Sequence, residues 1–184
     1  MNLWLSLLLF AAPVPGEVAT ANLYDLDVAL VDHTGKSVKL DTFRGHPVVI
    51  SMFYGTCTTA CPLLVAKLQG LEAKLSAKAR ADTRVLLVSF DPNRDTPETL
   101  KKLAGSFGVD GRWMLARTSA ESVRELAAAL GIRYRFLSNG MLNHSSVLTV
   151  LDAAGNISTR IEGLDAPAAA LVTTIEALSR DLPP

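Results

Sequence analysis

Apolar and polar positions along the chain fall into short strand-like runs. They alternate from Val28 to Leu40 about a polar turn containing Gly35, which predicts a β-hairpin. Val48–Phe53 and Arg84–Phe90 are nearly continuous apolar runs, typical of strands covered on both faces of a sheet. Three shorter strands are also predicted, the last two forming a second hairpin: Trp113–Leu115, Ser146–Leu151 and Asn156–Ile161.

Longer segments between these runs carry apolar residues at helical spacing. A helix is predicted from Pro62 to about Ala79, with Gly70 as a modest interruption. Thr96 and Pro97 have the residue types of an N-cap and a first helical position, and this helix should close near Gly108. Two more helices are expected, one from Ser119 to Leu130 before Gly131 and one from Ala166 to about Ser179.

This order of elements predicts the fold class. A hairpin, βα units, a second hairpin and a closing helix describe an α/β sandwich with a mixed central sheet. The chain has 184 residues, which is enough for one sizeable core and favours a single domain. Its 18 basic and 18 acidic residues give no electrostatic footprint for nucleic acid and no polybasic strip for an anionic membrane.

The first 21 residues form a separate segment. Their apolar run from Leu3 to Ala12 ends before Pro13 and has the length of a signal-peptide core rather than of a membrane span. Ala19-Thr20-Ala21 is a candidate cleavage site, although no Lys or Arg precedes the apolar run. Residues 1–21 are therefore predicted to direct export, and residues 22–184 to form the folded domain.

The chain has two cysteines, and they are four positions apart in Cys57-Thr58-Thr59-Ala60-Cys61-Pro62. Because proline is tolerated in the first turn of a helix, both thiols should lie at or just before a helix N-terminus, where the helix dipole favours the thiolate. A thiolate is both a nucleophile and a soft metal ligand. The pair could therefore be a redox disulfide, a clamp for one soft ion, or a structural bridge, although so short a loop gains little from a bridge.

A metal site on this pair needs a third ligand. His33 lies in a predicted hairpin turn and His46 precedes Pro47, positions where a solvated imidazole needs no special explanation. His144 directly precedes a predicted buried strand, and functional loops gather at such strand ends. Two thiolates with one imidazole suit copper(I), whereas closed zinc sites usually have four ligands.

Three motifs in order resemble the Sco/SenC family, the thioredoxin-fold proteins associated with assembly of the copper A centre of cytochrome c oxidase. They run from Phe53 to Pro62, from Ser89 to Pro97, and from His144 through Ser146 ahead of Gly155. The resemblance covers roughly Leu26 to the final helix. It implies a thioredoxin-like sandwich, copper ligands Cys57, Cys61 and His144, and a place for Asp91 in the loop beside the site.

The resemblance also implies where and with what the protein works. The expected partner is a copper-containing oxidase subunit or another copper chaperone, met in the periplasm or at the outer face of the inner membrane. The thiols, Cys57 and Cys61, would either carry copper or act catalytically to reduce the partner's ligand cysteines. Two departures from the family are the Thr-Thr-Ala insert between the cysteines and an N-terminal apolar run too short for the anchor of many members.

Two other functions compete with copper delivery. A general thiol-disulfide oxidoreductase would need only Cys57 and Cys61 and no metal. A peroxiredoxin-like peroxidase shares the fold but has the motif Pro-x-x-x-Thr-x-x-Cys. Here Ile50 is at the Pro position and Tyr54 is at the Thr position relative to Cys57. The sequence therefore favours a copper site or a dithiol site over a peroxidase.

Overall fold

A computed structural model describes residues 22–57, 59–138 and 141–183, and within these ranges it has nine strands and five α-helices. The strands are β1 Ala29–Asp32, β2 Ser37–Lys39, β3 Val48–Phe53, β4 Arg84–Ser89, β5 Trp113–Arg117, β6 Tyr134–Phe136, β7 Leu142–His144, β8 Val147–Leu151 and β9 Ile157–Glu162. The helices are α1 Ala60–Glu72, α2 Ala77–Asp82, α3 Pro97–Phe107, α4 Ala120–Ala129 and α5 Ala169–Arg180.

The main sheet is mixed, as the sequence predicts. Its strand order is β2-β1-β5-β4-β3-β8-β9, with β3, β4 and β5 parallel and the other pairs antiparallel. Every residue of β3 is buried, which explains the unbroken apolar run from Val48 to Phe53. Strands β6 and β7 form a separate hairpin that follows α4 and leads into β8.

Two hydrophobic layers cover the sheet, one on each face. Alternate residues of β3 supply both layers, so Ile50 packs with α4 while Phe53 packs with α1, α3 and α5. The carboxyl ends of the parallel strands β3 and β4 lie side by side, with Phe53 opposite Ser89. The cysteine segment and the Asp91–Pro97 loop therefore emerge next to each other at one edge of the sheet.

The predicted helix signals are confirmed for α3 and α4. The Thr96 hydroxyl caps α3 by accepting from the Thr99 amide, Pro97 is the first helical residue, and Gly108 ends the helix with φ +61°. Ser119 caps α4 in the same way, through the Ser122 amide. The α5 helix begins at Ala169, three residues later than predicted.

Two predictions about the fold are wrong. The helix predicted from Pro62 to Ala79 is two helices, because Ser76 caps the second one through the Ala79 amide while Glu176 accepts from the Ser76 amide and hydroxyl. The sequence predicts no strand between Gly131 and Ser146, where the structure has the β6–β7 hairpin. His144 therefore ends a strand instead of lying in a loop.

The predicted signal segment, residues 1–21, lies outside the described residues. In the described part of the chain, no helix has the length and apolar character that spanning a bilayer requires.

Gly155 and Gly70 provide a matched test of the backbone. Gly155 has φ +98°, and a Cβ there would collide with the Tyr24 ring, so we expect Gly155→Ala to lower the free energy of unfolding by about 2–4 kcal/mol. Gly70 lies within α1 with open space where a Cβ would stand, so Gly70→Ala should raise it by about 0.5–1 kcal/mol. Urea denaturation measures both, and a neutral Gly155→Ala would contradict the described turn.

Candidate metal and redox site

The two thiols lie where strand β3 turns into helix α1. After Phe53 the chain makes a tight turn in which the Cys57 amide donates to the Tyr54 carbonyl at 3.1 Å. Helix α1 begins at Ala60, so Cys61 and Pro62 are in its first turn and Cys57 precedes it. The predicted placement of both thiols at a helix N-terminus is confirmed, and both cysteines are free thiols.

The Cys57 sulfur caps this helix. Thr59, the residue before α1, makes no side-chain capping bond. Instead the Cys57 Sγ accepts from the Cys61 amide at 3.3 Å, the position that a serine or aspartate oxygen occupies at an ordinary N-cap. Negative charge on this sulfur is therefore stabilised by the exposed amides and by the positive end of the helix dipole.

The two thiols have opposite electrostatic environments. Burial opposes ionisation of Cys57, but bonds from the Cys61 side chain, the Cys61 and Thr59 amides and the Tyr54 hydroxyl outweigh it, so the pKa of Cys57 lies below its usual value. Burial raises the pKa of Cys61 to about 12, and the neighbouring Cys57 and Asp95 add to the shift. Cys61 is only 4% exposed, so Cys57 is the accessible thiol and the better nucleophile.

His144 reaches the site from the β6–β7 hairpin. It pairs with Tyr134 across the hairpin, and its ring packs on Phe90 with the centroids 4.9 Å apart. The Nδ1 of His144 lies 3.1 Å from the Ser145 carbonyl, which can only accept. In a neutral imidazole this contact places the proton on Nδ1, and the lone pair is then on Nε2.

Cys57 and His144 line one cavity of about 280 Å³, although 87 positions separate them in the sequence. The cavity is lined by Tyr54, Cys57, Ala60, Leu137, Met141, Leu142, Asn143, His144 and Ser146. Cys61 lies behind Cys57, and its thiol donates to the Tyr54 carbonyl at 3.5 Å. Among the described residues, no three His, Cys, Asp or Glu side chains are grouped closely enough to hold an ion in this conformation.

Tyr54 links all three of the predicted site residues. Its carbonyl accepts from Cys61, its hydroxyl is a hydrogen-bond partner of the Cys57 side chain, and its ring makes an edge contact with His144 at a centroid distance of 5.9 Å. From the sequence, Tyr54 stands out only as a mismatch to the peroxidase motif. Its position three residues before Cys57, at the end of a buried strand, was the available signal.

Asp95 holds the cysteine turn from the neighbouring loop. Its buried carboxylate accepts from the Gly55 amide at 2.9 Å and from the Ser89 hydroxyl. A side chain at position 55 would collide with this carboxylate, which explains the glycine there. The loop that contains Asp91 does lie beside the site, but the Asp91 carboxylate pairs with Arg94 at 3.4 Å, and Asp95 makes the contact.

The other two histidines make their contacts elsewhere in the fold. The Nδ1 of His33 accepts from the Leu115 amide at 3.4 Å, beside the β1–β2 turn. The Nε2 of His46 lies 3.3 Å from the Arg84 guanidinium, at the start of β3. Of the three histidines, His144 is the one that the fold brings to the thiols.

Comparison with known proteins identifies the relatives of this chain. The family model described as SCO1/SenC matches residues 18–180. A curated relative, the SCO1 protein homolog of Bacillus subtilis (strain 168), is 34% identical over 95 residues, which are 50% of this chain and 49% of the relative. The chain thus spans about half the length of that relative.

Solved structures confirm the predicted thioredoxin-like fold. Arabidopsis thaliana ScoI, solved with copper bound, has a TM-score of 0.70 at 18% identity, covering 83% of this chain and 95% of ScoI. BsSco, described as having a disulfide switch and as a member of the Sco family of cytochrome c oxidase assembly proteins, has a TM-score of 0.72 at 22% identity, covering 83% and 91%. At these identities the likeness establishes the fold alone.

The difference between the two thiols predicts selective alkylation. At a pH below the ordinary thiol value of about 8.5, iodoacetamide should label Cys57 of the reduced protein and leave Cys61 unmodified. Both cysteines lie in the tryptic peptide of residues 45–67, so fragmentation of this peptide in the mass spectrometer measures the two rates. Cys61→Ser should keep the fast reaction and Cys57→Ser should lose it, and equal labelling of the two thiols would contradict the described burial.

The buried carboxyl of Asp95 should make the stability of the protein depend on pH. Burial raises its pKa in the folded protein, more than the bonds from Ser89 and Gly55 lower it. The folded state therefore binds more protons than the unfolded state above the ordinary carboxyl value of about 3.9, and this group lowers stability as the pH rises through that window. Wild type should thus lose free energy of unfolding relative to Asp95→Asn as the pH rises from 4, measured by urea denaturation. A difference that is constant with pH would contradict the raised pKa.

Proposed function

This chain belongs to the SCO1/SenC family, and on that premise we propose that it binds one copper(I) ion through Cys57, Cys61 and His144 and delivers it to the copper A site of a cytochrome c oxidase. The observation that carries the proposal is the shared cavity of Cys57 and His144. Two distant parts of the chain fold to place a thiol and an imidazole around one space, with the second thiol one turn away.

The donor set fits copper(I). Two thiolate sulfurs and a neutral imidazole nitrogen are soft or intermediate ligands, and the lone pair on His144 Nε2 is free because Nδ1 is held by Ser145. The three donors are not grouped for an ion in the described conformation. Binding therefore requires the β6–β7 hairpin, which carries His144, to close on the thiols, and this suits a cargo that must later be released.

The burial of the three ligands indicates the order in which they would release the ion. Cys57 and His144 line the open cavity, whereas Cys61 is buried beneath them. An incoming ligand from a partner would therefore replace His144 or Cys57 first, and the Cys61 sulfur would hold the ion until the last exchange. This order follows from access alone.

A second activity, reduction of the partner's ligand cysteines, is favoured by the difference between the two thiols. The Cys57 thiolate would attack a partner disulfide, forming a mixed disulfide and releasing one partner thiolate. Cys61 would then give its proton to the released partner thiolate and attack the Cys57 sulfur, releasing the second partner thiolate and leaving a Cys57–Cys61 disulfide. Two electrons pass to the partner, and a dithiol reductant must restore the pair.

The partner and the location are part of this proposal. We place the protein outside the cytoplasm, in the periplasm or at the outer face of the inner membrane, because residues 1–21 contain an apolar segment typical of export signals. The partner is a copper-containing oxidase subunit or another copper chaperone. BsSco, named among cytochrome c oxidase assembly proteins, supports the choice of an oxidase.

Anaerobic copper(I) titration of the reduced protein tests the metal role. Wild type should take up one equivalent, Cys57→Ser and Cys61→Ser should lose stoichiometric binding, and His144→Ala should bind at least about tenfold more weakly. His33→Ala is the matched control and should bind as wild type does. A wild type that binds no stoichiometric copper, or a His144→Ala variant that binds as tightly as His33→Ala, would overturn the assignment.

The same variants separate delivery from reduction. A dithiol reductase needs only the thiols, so His144→Ala should still reduce a disulfide-containing copper A domain while Cys57→Ser should not. Reduction without copper uptake by the wild type would leave a thiol-disulfide oxidoreductase. Turnover of hydrogen peroxide would revive the peroxidase alternative.

A further inference from the structure

The large apolar side chains that the described residues expose are concentrated at the candidate site. They are Leu63, Phe136 and Met141, with exposed fractions of 57%, 54% and 57%. Met141 lines the cavity itself, and Phe136 is paired across the hairpin with Leu142, which also lines it. Leu63 is three residues after the cavity residue Ala60 on α1, a spacing that places both on one helix face. We call these three residues the apolar rim.

A basic surface continues from this rim on the outer side of the hairpin. A second cavity, of about 390 Å³, shares His144 and Asn143 with the first and is lined also by Arg133 and Arg135. Alternation along β6 places Tyr134 on the side of His144 and the arginines on the opposite side. His144 therefore lies between an apolar opening and an arginine face, defined here as Arg133 and Arg135.

The chain segments that carry the apolar rim and the arginine face contain no carboxylate that could neutralise the two arginines. Residues 54–68 and 133–146, the two segments that carry the rim and the arginine face, contain Arg133, Arg135 and Lys67 and no Asp or Glu. The Lys67 ammonium is bonded to the carbonyls of Leu164 and Ala166, so it does not contribute to the rim. Arg133 pairs with Glu162 at 3.2 Å, but both side chains are more than half exposed, and such pairs are weak in water.

We propose that the apolar rim and the arginine face form one docking surface for a copper-accepting protein whose contact face is apolar around its metal ligands and acidic on the side that meets Arg133 and Arg135. This inference rests on the proposed function in one respect: ligand exchange requires the partner's donors to reach Cys57 and His144. A partner that does so covers the rim, and apolar centres with charged edges are the usual composition of such interfaces.

Two other occupants fit this surface less well. A second copy in a two-fold contact would bring its own Arg133 and Arg135 to the same region, and these segments have no carboxylate to meet them. An anionic membrane is held by clusters of about four to eight basic residues, more than the two arginines here. Charge complementarity therefore selects an acidic protein face.

Copper transfer kinetics test the docking surface. The copper-loaded protein is mixed with the copper A domain of an oxidase from the same organism, and in parallel with dithiothreitol, an uncharged acceptor too small to dock. Arg133→Glu/Arg135→Glu should slow copper transfer to the domain about tenfold or more. The transfer rate of this variant should no longer decrease when salt is added. Leu63→Ser/Phe136→Ser should slow transfer while keeping the salt dependence. Transfer to dithiothreitol should be unchanged in both.

Lys74→Glu/Arg180→Glu is the matched control. It makes the same charge change, and Lys74 lies beyond the far end of the 13-residue helix α1, about 20 Å from the cysteines. This variant should transfer copper to the domain as wild type does. An equal loss in the control, or a wild-type rate that does not fall with salt, would overturn the proposal.

Further measurements decide the remaining outcomes. If the wild type is a dimer in sedimentation and Leu63→Ser/Phe136→Ser is a monomer, the surface belongs to a second copy and the proposal is overturned. The proposal is also overturned if the wild type binds phosphatidylglycerol vesicles and the arginine variant loses that binding without any change in copper transfer. If wild type binds no copper, the proposed function fails on its own. In that case, NMR titration of the reduced apo protein with the metal-free domain tests the docking surface. Chemical-shift changes at Arg133 and Arg135 would support the docking proposal, and their absence would overturn it.

Discussion

The candidate site depends on a single turn, the one that joins a fully buried strand to helix α1. Two of its hydrogen bonds tie it to neighbouring elements: the Gly55 amide donates to the Asp95 carboxylate, and the Cys61 amide donates to the Cys57 sulfur. The first fixes the turn to the loop after β4, and the second fixes one thiol at the start of the helix. Because β3 is covered on both faces, the strand end that leads to this turn is fixed, and the bond from the Cys61 amide holds the Cys57 sulfur at the helix before any ligand arrives.

The third predicted ligand is supported differently. His144 is on a two-stranded hairpin outside the main sheet, and its ring is held by Phe90, by Tyr54 and by the Ser145 carbonyl. A two-stranded hairpin is less rigid than the central strands of a sheet. The site therefore combines a rigid thiol pair with a more adaptable imidazole, which suits a protein that must both hold and release a metal ion.

The strong periodic signals in the sequence were sufficient for most of the fold. Buried strands such as β3, capped helices such as α3 and the helix-terminal thiols were predicted because local residues decide them. The β6–β7 hairpin was missed because its strands are three residues long, although Asn139-Gly140 between them is a hairpin turn signal. The contacts of Asp95 and Tyr54 could not be predicted, since they depend on which loops the topology brings together.

The sulfur of Cys57 serves as a hydrogen-bond acceptor for a backbone amide as well as a reactive atom. Any bond that this sulfur makes, to a metal, to Cys61 or to a partner, withdraws electron density from the lone pair that faces the Cys61 N–H. The chemical shift and exchange rate of that one amide proton should therefore change with the state of the site. The protein thus contains a built-in, label-free reporter of whether its thiol is free or engaged.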